Sequence, residues 1–191
     1  MNKWGLRSVG KGTVIREWVR FIRPENIIIG DYCMIDDFTI IAGGRDENSL
    51  TILGNHINIP PFVSILGGCG IEMQDFSGPA PGCRFFTDSN EYVEATAMGP
   101  TVPAEFRNDR SGRIVLEKYA VQGANTIVLP GITIHEGANT GAGTIVTKDL
   151  EAWWVYIGAP ARKHKQRDRE GVVAAHEEFL RWEKSNEDRP I

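Results

Sequence analysis

Between Leu116 and Val146 apolar and small residues recur at every sixth position. Leu116, Gln122, Val128, Ile134, Thr140 and Val146 form one series, and Ala120, Thr126, Ile132, Ala138 and Thr144 follow its first five members at a spacing of four. A helix repeats at about 3.6 residues and a lone strand at about 2. A chain wound round three short flat sides repeats at six, because the leading residue of each side turns toward one axis. Gly123, Gly131 and Gly141 fall at the corners, where backbone angles closed to other residues are expected. The pattern predicts an all-β fold, a parallel β-helix of hexapeptides.

The same period runs from the start of the chain. Val9, Ile15 and Phe21 lead a first turn, Ile29, Ile35 and Ile41 a second, Leu53, Ile59 and Ile65 a third, and Met73, Pro79 and Phe85 a fourth. A polar loop, "GGRDENS", separates the second turn from the third. From Thr87 to Gly112 the period is lost in "TDSNEYVEATAMGPTVPAEFRNDRSG", a long insertion without regular structure, of the kind that usually carries function. Beyond Val146, "TKDLEAWWVYIGAPARKHKQR" should close the solenoid, with Pro160 barring a regular helix or central strand. Val172, Val173, His176, Phe179 and Leu180 then share one side of a helix expected between Asp168 and Asn186. The predicted organisation is a β-helix domain over 1–166, interrupted at 87–112, and a helical tail over 167–191.

Composition narrows the function classes. The chain has 191 residues, 41% of them hydrophobic, and a net charge of −4. That suits one soluble domain and argues against nucleic acid as a partner, since such binders usually carry a basic excess. No apolar run nears the roughly 20 residues of a membrane span, and "MNKWGLRSVGKG" has no secretory core, so a cytoplasmic location is expected. Cys33, Cys69 and Cys83 each stand four places after a leading residue, which predicts small buried packing groups in place of disulfide or metal chemistry.

The hexads "IGDYCM", "LGNHIN" and "TGAGTI", followed by "VTKDL" and "IGAPARK", resemble those of the left-handed β-helix acyltransferases, above all the maltose, galactoside and surface-polysaccharide acetyltransferases. The resemblance covers roughly residues 9–166. It implies left-handed turns, against the usual right-handed crossover, and a homotrimer with active sites between subunits. It also implies acetyl-CoA as acyl donor and a sugar or nucleotide-sugar acceptor, in surface-polysaccharide biosynthesis. Carried onto "GAN", "GAGTIVTK" and "GAPARKHK", the coenzyme contacts become Ala124, Ala142, Thr147, Lys148, Arg162 and Lys165. Small residues at these corners also answer to tight turns. Arg162, Lys163 and Lys165 cluster where packing does not require them, as a phosphate clamp would.

At the catalytic position the chain departs from that pattern. The relatives' general base is a histidine that opens the long loop; gap-free matching from Leu53 to Phe86 puts Asn90 there. Asparagine cannot take a proton, and loss of a general base costs about 10²- to 10⁴-fold in rate. Possible substitutes are Asp88 and Glu91 in the loop, His56 on an earlier corner and His135 in "ITIHEGAN". An amine acceptor is another solution, because it sheds a proton to solvent more readily than a hydroxyl does. Two other classes stay open at this point. One is a noncatalytic trimeric scaffold. The other is a γ-type zinc carbonic anhydrase, for which His56, His135, His164 and His176 lack paired ligand spacing. Gln122 and Thr140 occupy leading positions that should face an apolar axis; internal hydrogen bonds between neighbouring turns are expected for both, with a functional polar layer as the alternative.

Overall fold

The computed structural model describes residues 3–93 and 96–186. The hexads wind into a triangular solenoid. One face is a six-stranded parallel sheet of Ser8–Val9, Ile27–Ile29, Thr51–Leu53, Ile71–Met73, Ile114–Leu116 and Thr133–Ile134. Another, also six-stranded and parallel, runs from Arg20–Ile22 through Ile40–Ala42, Ser64–Leu66, Arg84–Phe86 and Ile127–Val128 to Ile145–Val146. The face between them carries Val14–Ile15, Met34–Ile35 and Asn58–Ile59 in one group and Gly78–Pro79, Val121–Gln122, Asn139–Thr140 and Trp154–Ile157 in a second.

Register explains the six-residue period. Leu53 pairs with Met73, Met73 with Leu116 and Leu116 with Ile134, so leading residues stack one above another along the axis. On the other two faces Ile35 stacks with Ile59, and Ile41, Ile65, Phe85, Val128 and Val146 stack in turn; all are fully buried. The leading residues of the first turn, Val9, Ile15 and Phe21, are only partly buried, because among the described residues no turn lies beyond them; Trp4 covers Phe21 edge-on at 5.8 Å. Of the three corner glycines, Gly131 alone has the left-handed φ expected, at 75°. Gly123 is required for a different reason: a Cβ there would lie 2.6 Å from the Thr140 carbonyl oxygen of the next turn.

The polar leading residues behave differently from each other. The Thr140 hydroxyl lies 2.8 Å from that of Thr126 and accepts the Gly123 N–H at 3.1 Å. Gln122 is fully buried, yet neither polar atom of its side chain has a hydrogen-bond partner among the described residues. The expectation of satisfied bonds therefore holds for Thr140 and fails for Gln122. Cys33 and Cys83 pack inside and donate to the carbonyls of Gly54 and Gly123, each at 3.1 Å. Cys69 departs from that rule: it is only partly buried and turns to Asp88, because its corner is the one from which the insertion leaves.

The insertion is not structureless. Asp88–Asn90 and Asp109–Ser111 form an antiparallel hairpin, and Ala104–Phe106 adds a turn of 3-10 helix. The Gly112 N–H donates to the Thr87 carbonyl at 2.9 Å, returning the chain to the corner it left. At the other end Trp154–Ile157 and Arg162–Gln166 pair as an antiparallel hairpin, with the cis Ala159–Pro160 bond in its turn. That hairpin closes the solenoid, so Pro160 sits between strands and interrupts none.

A column of aromatic side chains marks the corner between the face of Ile27–Ile29 and that of Met34–Ile35. Tyr32, His56, Phe76, Tyr119 and Trp153 all hold left-handed φ values, from 54° to 63°, a conformation that disfavours side-chain-bearing residues unless packing compensates. The tail supplies that packing. Arg167 lies over Trp153 and donates to the carbonyls of Tyr119 and Gly137 and to Asn139 Oδ1. Asp168 caps the helix Arg169–Lys184 through the Gly171 N–H, and His176 and Phe179 rest on the column. The apolar side read from sequence is the docked side.

Candidate active site

The hairpin at the base of the insertion, the corner loop bearing Arg45 and the end of the face that carries Arg84–Phe86 and Ile127–Val128 enclose a cleft of about 480 Å³. Phe86 and Leu129 contribute its apolar wall, and Arg45, Asp88, Asn90, Arg107 and Asp109 its polar one. Each of these charged side chains already has a partner in the chain.

Asp88 is the most heavily bonded. Its Oδ1 meets Arg45 Nη1 at 2.9 Å, Ser111 Oγ at 2.9 Å and Cys69 Sγ at 3.3 Å, while Oδ2 accepts from Thr87 Oγ1 at 3.1 Å. Burial alone would push this carboxyl up; the hydrogen bonds from Cys69, Ser111 and Thr87 and the charge of Arg45 outweigh it and hold Asp88 below the usual carboxylate range. Burial, and then the neighbouring Asp88 carboxylate, pushes the Cys69 thiol up. Asp88 is thus a fixed anion with little basicity, and Cys69 a proton donor to it.

Glu91 does not line the cleft. Its Oε1 accepts the N–H groups of Tyr92 and Val93 at 2.9 and 3.0 Å, and its Oε2 pairs with Arg110. The Val93 N–H and Arg110 lower its pKa, so it too is tied up as an anion. Asn90, at the position the resemblance gives to histidine, faces Asp109 across the hairpin and donates its amide to Oδ1 at 2.8 Å. Arg107 holds the other oxygen of Asp109 at 2.8 Å.

The histidines lie elsewhere. His56 is stacked between Phe76 at 4.7 Å and Tyr32 at 5.3 Å under the tail helix, with Nε2 3.4 Å from Glu183 and a side chain only 14% exposed. Within the chain it is not brought to Asn90. It borders a separate cavity of about 430 Å³ with Phe76, Ala175, His176 and Phe179. His135 pairs with Glu117 at 3.1 Å on a later turn of the same corner, His164 is on the exposed closing strand, and His176 donates Nδ1–H to the Val172 carbonyl.

Ala124 and Ala142 occupy successive corners leading into Ile127–Val128 and Ile145–Val146, where Gly143 N–H donates to the Ala124 carbonyl at 2.7 Å; Thr147 and Lys148 are exposed just past the second of these strands. The three-residue basic cluster is split by a bulge. Ile157 aligns with Arg162, Val155 with Lys165, but Tyr156 with Lys163, so Arg162 and Lys165 share the face of Val155 and Ile157. Lys163 joins the opposite face, where it pairs with Glu151 at 2.6 Å and lies over Trp154. Sequence reasoning missed Arg45, Arg107 and Asp109; the charges of "GGRDENS" and "RND" were visible, but not that the two ends of the insertion meet beside the earlier loop.

No protein-family model matches the chain. It is 33% identical over 170 residues to the dTDP-4-amino-4,6-dideoxy-D-glucose acyltransferase of Escherichia coli, an alignment covering 88% of this chain and 86% of the relative. The chain belongs to the left-handed β-helix, hexapeptide-repeat acyltransferases. The acyltransferase also resembles the chloramphenicol acetyltransferase of Klebsiella aerogenes, at 35% identity over 90% of this chain and 82% of that one. Among solved structures it superposes on AntD, an N-acyltransferase from Bacillus cereus in complex with dTDP and Coenzyme A. That match has a TM-score of 0.87 and 33% identity, over 94% of each chain. A maltose O-acetyltransferase from Clostridium difficile, at 23% identity, 86% of this chain, 71% of that one and a TM-score of 0.54, shares the fold. The scaffold and carbonic anhydrase readings give way to this family membership. No helix of the acyltransferase is long and apolar enough to cross a membrane among the described residues.

Proposed function

We propose that this acyltransferase moves an acyl group, acetyl being the simplest, from a coenzyme A thioester to the amino group of a nucleotide-linked amino sugar. The observation that carries this reading is Asn90 in the cleft, bonded to Asp109, where hydroxyl chemistry would call for a general base. Asp88 and Glu91 are anions of lowered basicity, which makes them poor substitutes. An amine has a lone pair for attack once its own proton is lost, so it needs no strong base at that position. Similarity to a dTDP-amino-sugar acyltransferase supports the acceptor class, and similarity to an N-acyltransferase in complex with Coenzyme A supports the donor.

In this reading Arg162 and Lys165 meet the coenzyme phosphates, and Ala124, Ala142, Thr147 and Lys148 line its arm. The exposed column Trp18, Phe38 and Phe62, with the latter two rings stacked at 5.5 Å, favours assembly with further copies, a homotrimer placing active sites between subunits. Both cosubstrates belong to the cytoplasm, and the acceptor class fits surface-polysaccharide biosynthesis. The test is acyl transfer from acetyl-CoA to dTDP-4-amino-4,6-dideoxyglucose, to dTDP-glucose and to chloramphenicol. Fastest turnover of the amino sugar is expected; faster turnover of either other acceptor overturns the proposal.

A further inference from the structure

Three carboxylates stand on or beside the hairpin, and their bonding separates them. Four donors surround Asp88. Glu91 closes on two backbone amides and Arg110, outside the cleft. Asp109 lines the cleft with a side chain 29% exposed, and each of its oxygens takes a single side-chain donor, Asn90 on Oδ1 and Arg107 on Oδ2. A carboxylate offers about four lone-pair sites, so Asp109 is the carboxylate of this cleft with acceptor capacity to spare. Asn90 adds to it: the amide nitrogen is engaged by Asp109, and the carbonyl oxygen has no hydrogen-bond partner among the described residues. Two acceptors therefore lie side by side. A hydroxyl brings one O–H donor to such a pair, whereas a primary amine brings two N–H donors and an ammonium three.

We propose that Asp109 receives the amino group of the acceptor and takes its proton, with Asn90 as the positioning residue that aims the carboxylate; this rests on the amino-sugar reading above. In the step, the amine nitrogen attacks the thioester carbonyl carbon and the C–N bond forms. The nitrogen, now positively charged, passes a proton to Asp109. The C–S bond breaks, its electron pair leaves with sulfur, and the proton is returned to the thiolate, giving an amide and free coenzyme thiol. Arg107, on the second oxygen, balances the carboxylate charge before transfer and fixes its plane.

Binding and turnover separate this inference from the function it rests on. Calorimetry on the full chain with dTDP-4-amino-4,6-dideoxyglucose and with dTDP-glucose should show tighter binding of the amino compound. Asp109→Asn should erase most of that preference, about 10-fold or more, while leaving the affinities for dTDP-glucose and acetyl-CoA unchanged, and should lower kcat/KM for the amine by about 10²-fold. Asn90→Asp supplies a second readout. Two carboxylates at hydrogen-bond distance cannot both ionise easily, so the acidic limb of the pH–rate profile should move upward by about one unit. An amine preference that survives Asp109→Asn, no amine preference in the wild type, or an unmoved profile in Asn90→Asp overturns the role of Asp109, even in an active enzyme. Amine-selective binding lost in Asp109→Asn, without acyl transfer by the wild type, would sustain the recognition role and overturn the proposed reaction and with it the proton transfer.

Discussion

Gln122 and Thr140 are register partners on successive turns of the solenoid, and Thr140 is hydrogen-bonded where Gln122 is not. A buried, unpartnered amide costs roughly 1–3 kcal/mol, and an apolar group of similar shape removes that cost. Gln122→Met is therefore expected to raise stability by about 1–2 kcal/mol, or roughly 2–4 °C in Tm per kcal/mol for a chain of this size. Thr140→Val, which removes the bonds to Thr126 and Gly123, should lower it by about 1–2 kcal/mol. Thermal melts of both variants check the pair; a destabilised Gln122→Met would show that the amide has a stabilising role in the axis.

His56 is one of the candidate bases named from sequence, and its surroundings argue for a packing role. Its ring lies parallel to Phe76 at 4.7 Å and edge-on to Phe179 at 5.3 Å. Such pairs contribute about 0.5–1.5 kcal/mol each beyond buried area. His56→Phe keeps the stacking and removes any proton chemistry, so kcat should stay within about threefold of wild type. His56→Ala should lower stability by about 2–3 kcal/mol through three lost ring contacts, to Tyr32, Phe76 and Phe179, and a cavity. A loss of about 10² in kcat for His56→Phe, with coenzyme affinity intact, would return His56 to the catalytic site.

How far the sequence could be read follows from which interactions are local to the repeat. The period of six was enough to place Leu53, Met73, Leu116 and Ile134 in one column, because each lies one turn from the next in a constant register. It could not reveal the hairpin, since Asn90 meets Asp109 only when the two ends of an insertion return to one corner. Cys69 obeys the spacing of a buried residue, but its turn is the one that opens into the insertion, and it faces Asp88 instead. Lys163 and Lys165 sit two apart and would share a face in a regular strand; the bulge between them puts them on opposite sides. His56 reads as a solvated corner residue until a helix more than 100 residues later in the chain covers it.

Asp88 makes a prediction about acid. Its folded pKa is lowered, so its contribution to stability is fully present above the unfolded carboxylate value of about 3.9 and is lost as the pH falls through the lower folded value. Asp88→Asn never has that contribution. The variant should be less stable than wild type by about 1 kcal/mol at pH 6, a modest figure because Arg45 is already largely exposed. The gap should close as the pH falls below about 4. Urea titrations across that range measure it, and a gap that widens on acidification would mean that Asp88 is not the stabilised anion its bonds describe.

The split basic cluster makes the last prediction. Arg162 and Lys165 share one face of the closing hairpin, while Lys163 is held by Glu151 and Trp154 on the other. If the first two meet the coenzyme phosphates, each makes a charged hydrogen bond worth about 1.5–3 kcal/mol, about 10-fold or more in Kd. Arg162→Ala with Lys165→Ala should therefore weaken acetyl-CoA binding by about 10²-fold or more, most at low salt, where charges are least screened. Lys163→Ala should change that affinity little, because its charge is already paired, and its stability by no more than about 1 kcal/mol, since the pair with Glu151 is largely exposed. Calorimetric titration of acetyl-CoA at two ionic strengths compares the three positions directly. Equal loss at Lys163 and at the other two would mean that the coenzyme reorganises the hairpin on binding. No loss at Arg162 and Lys165 would remove the clamp.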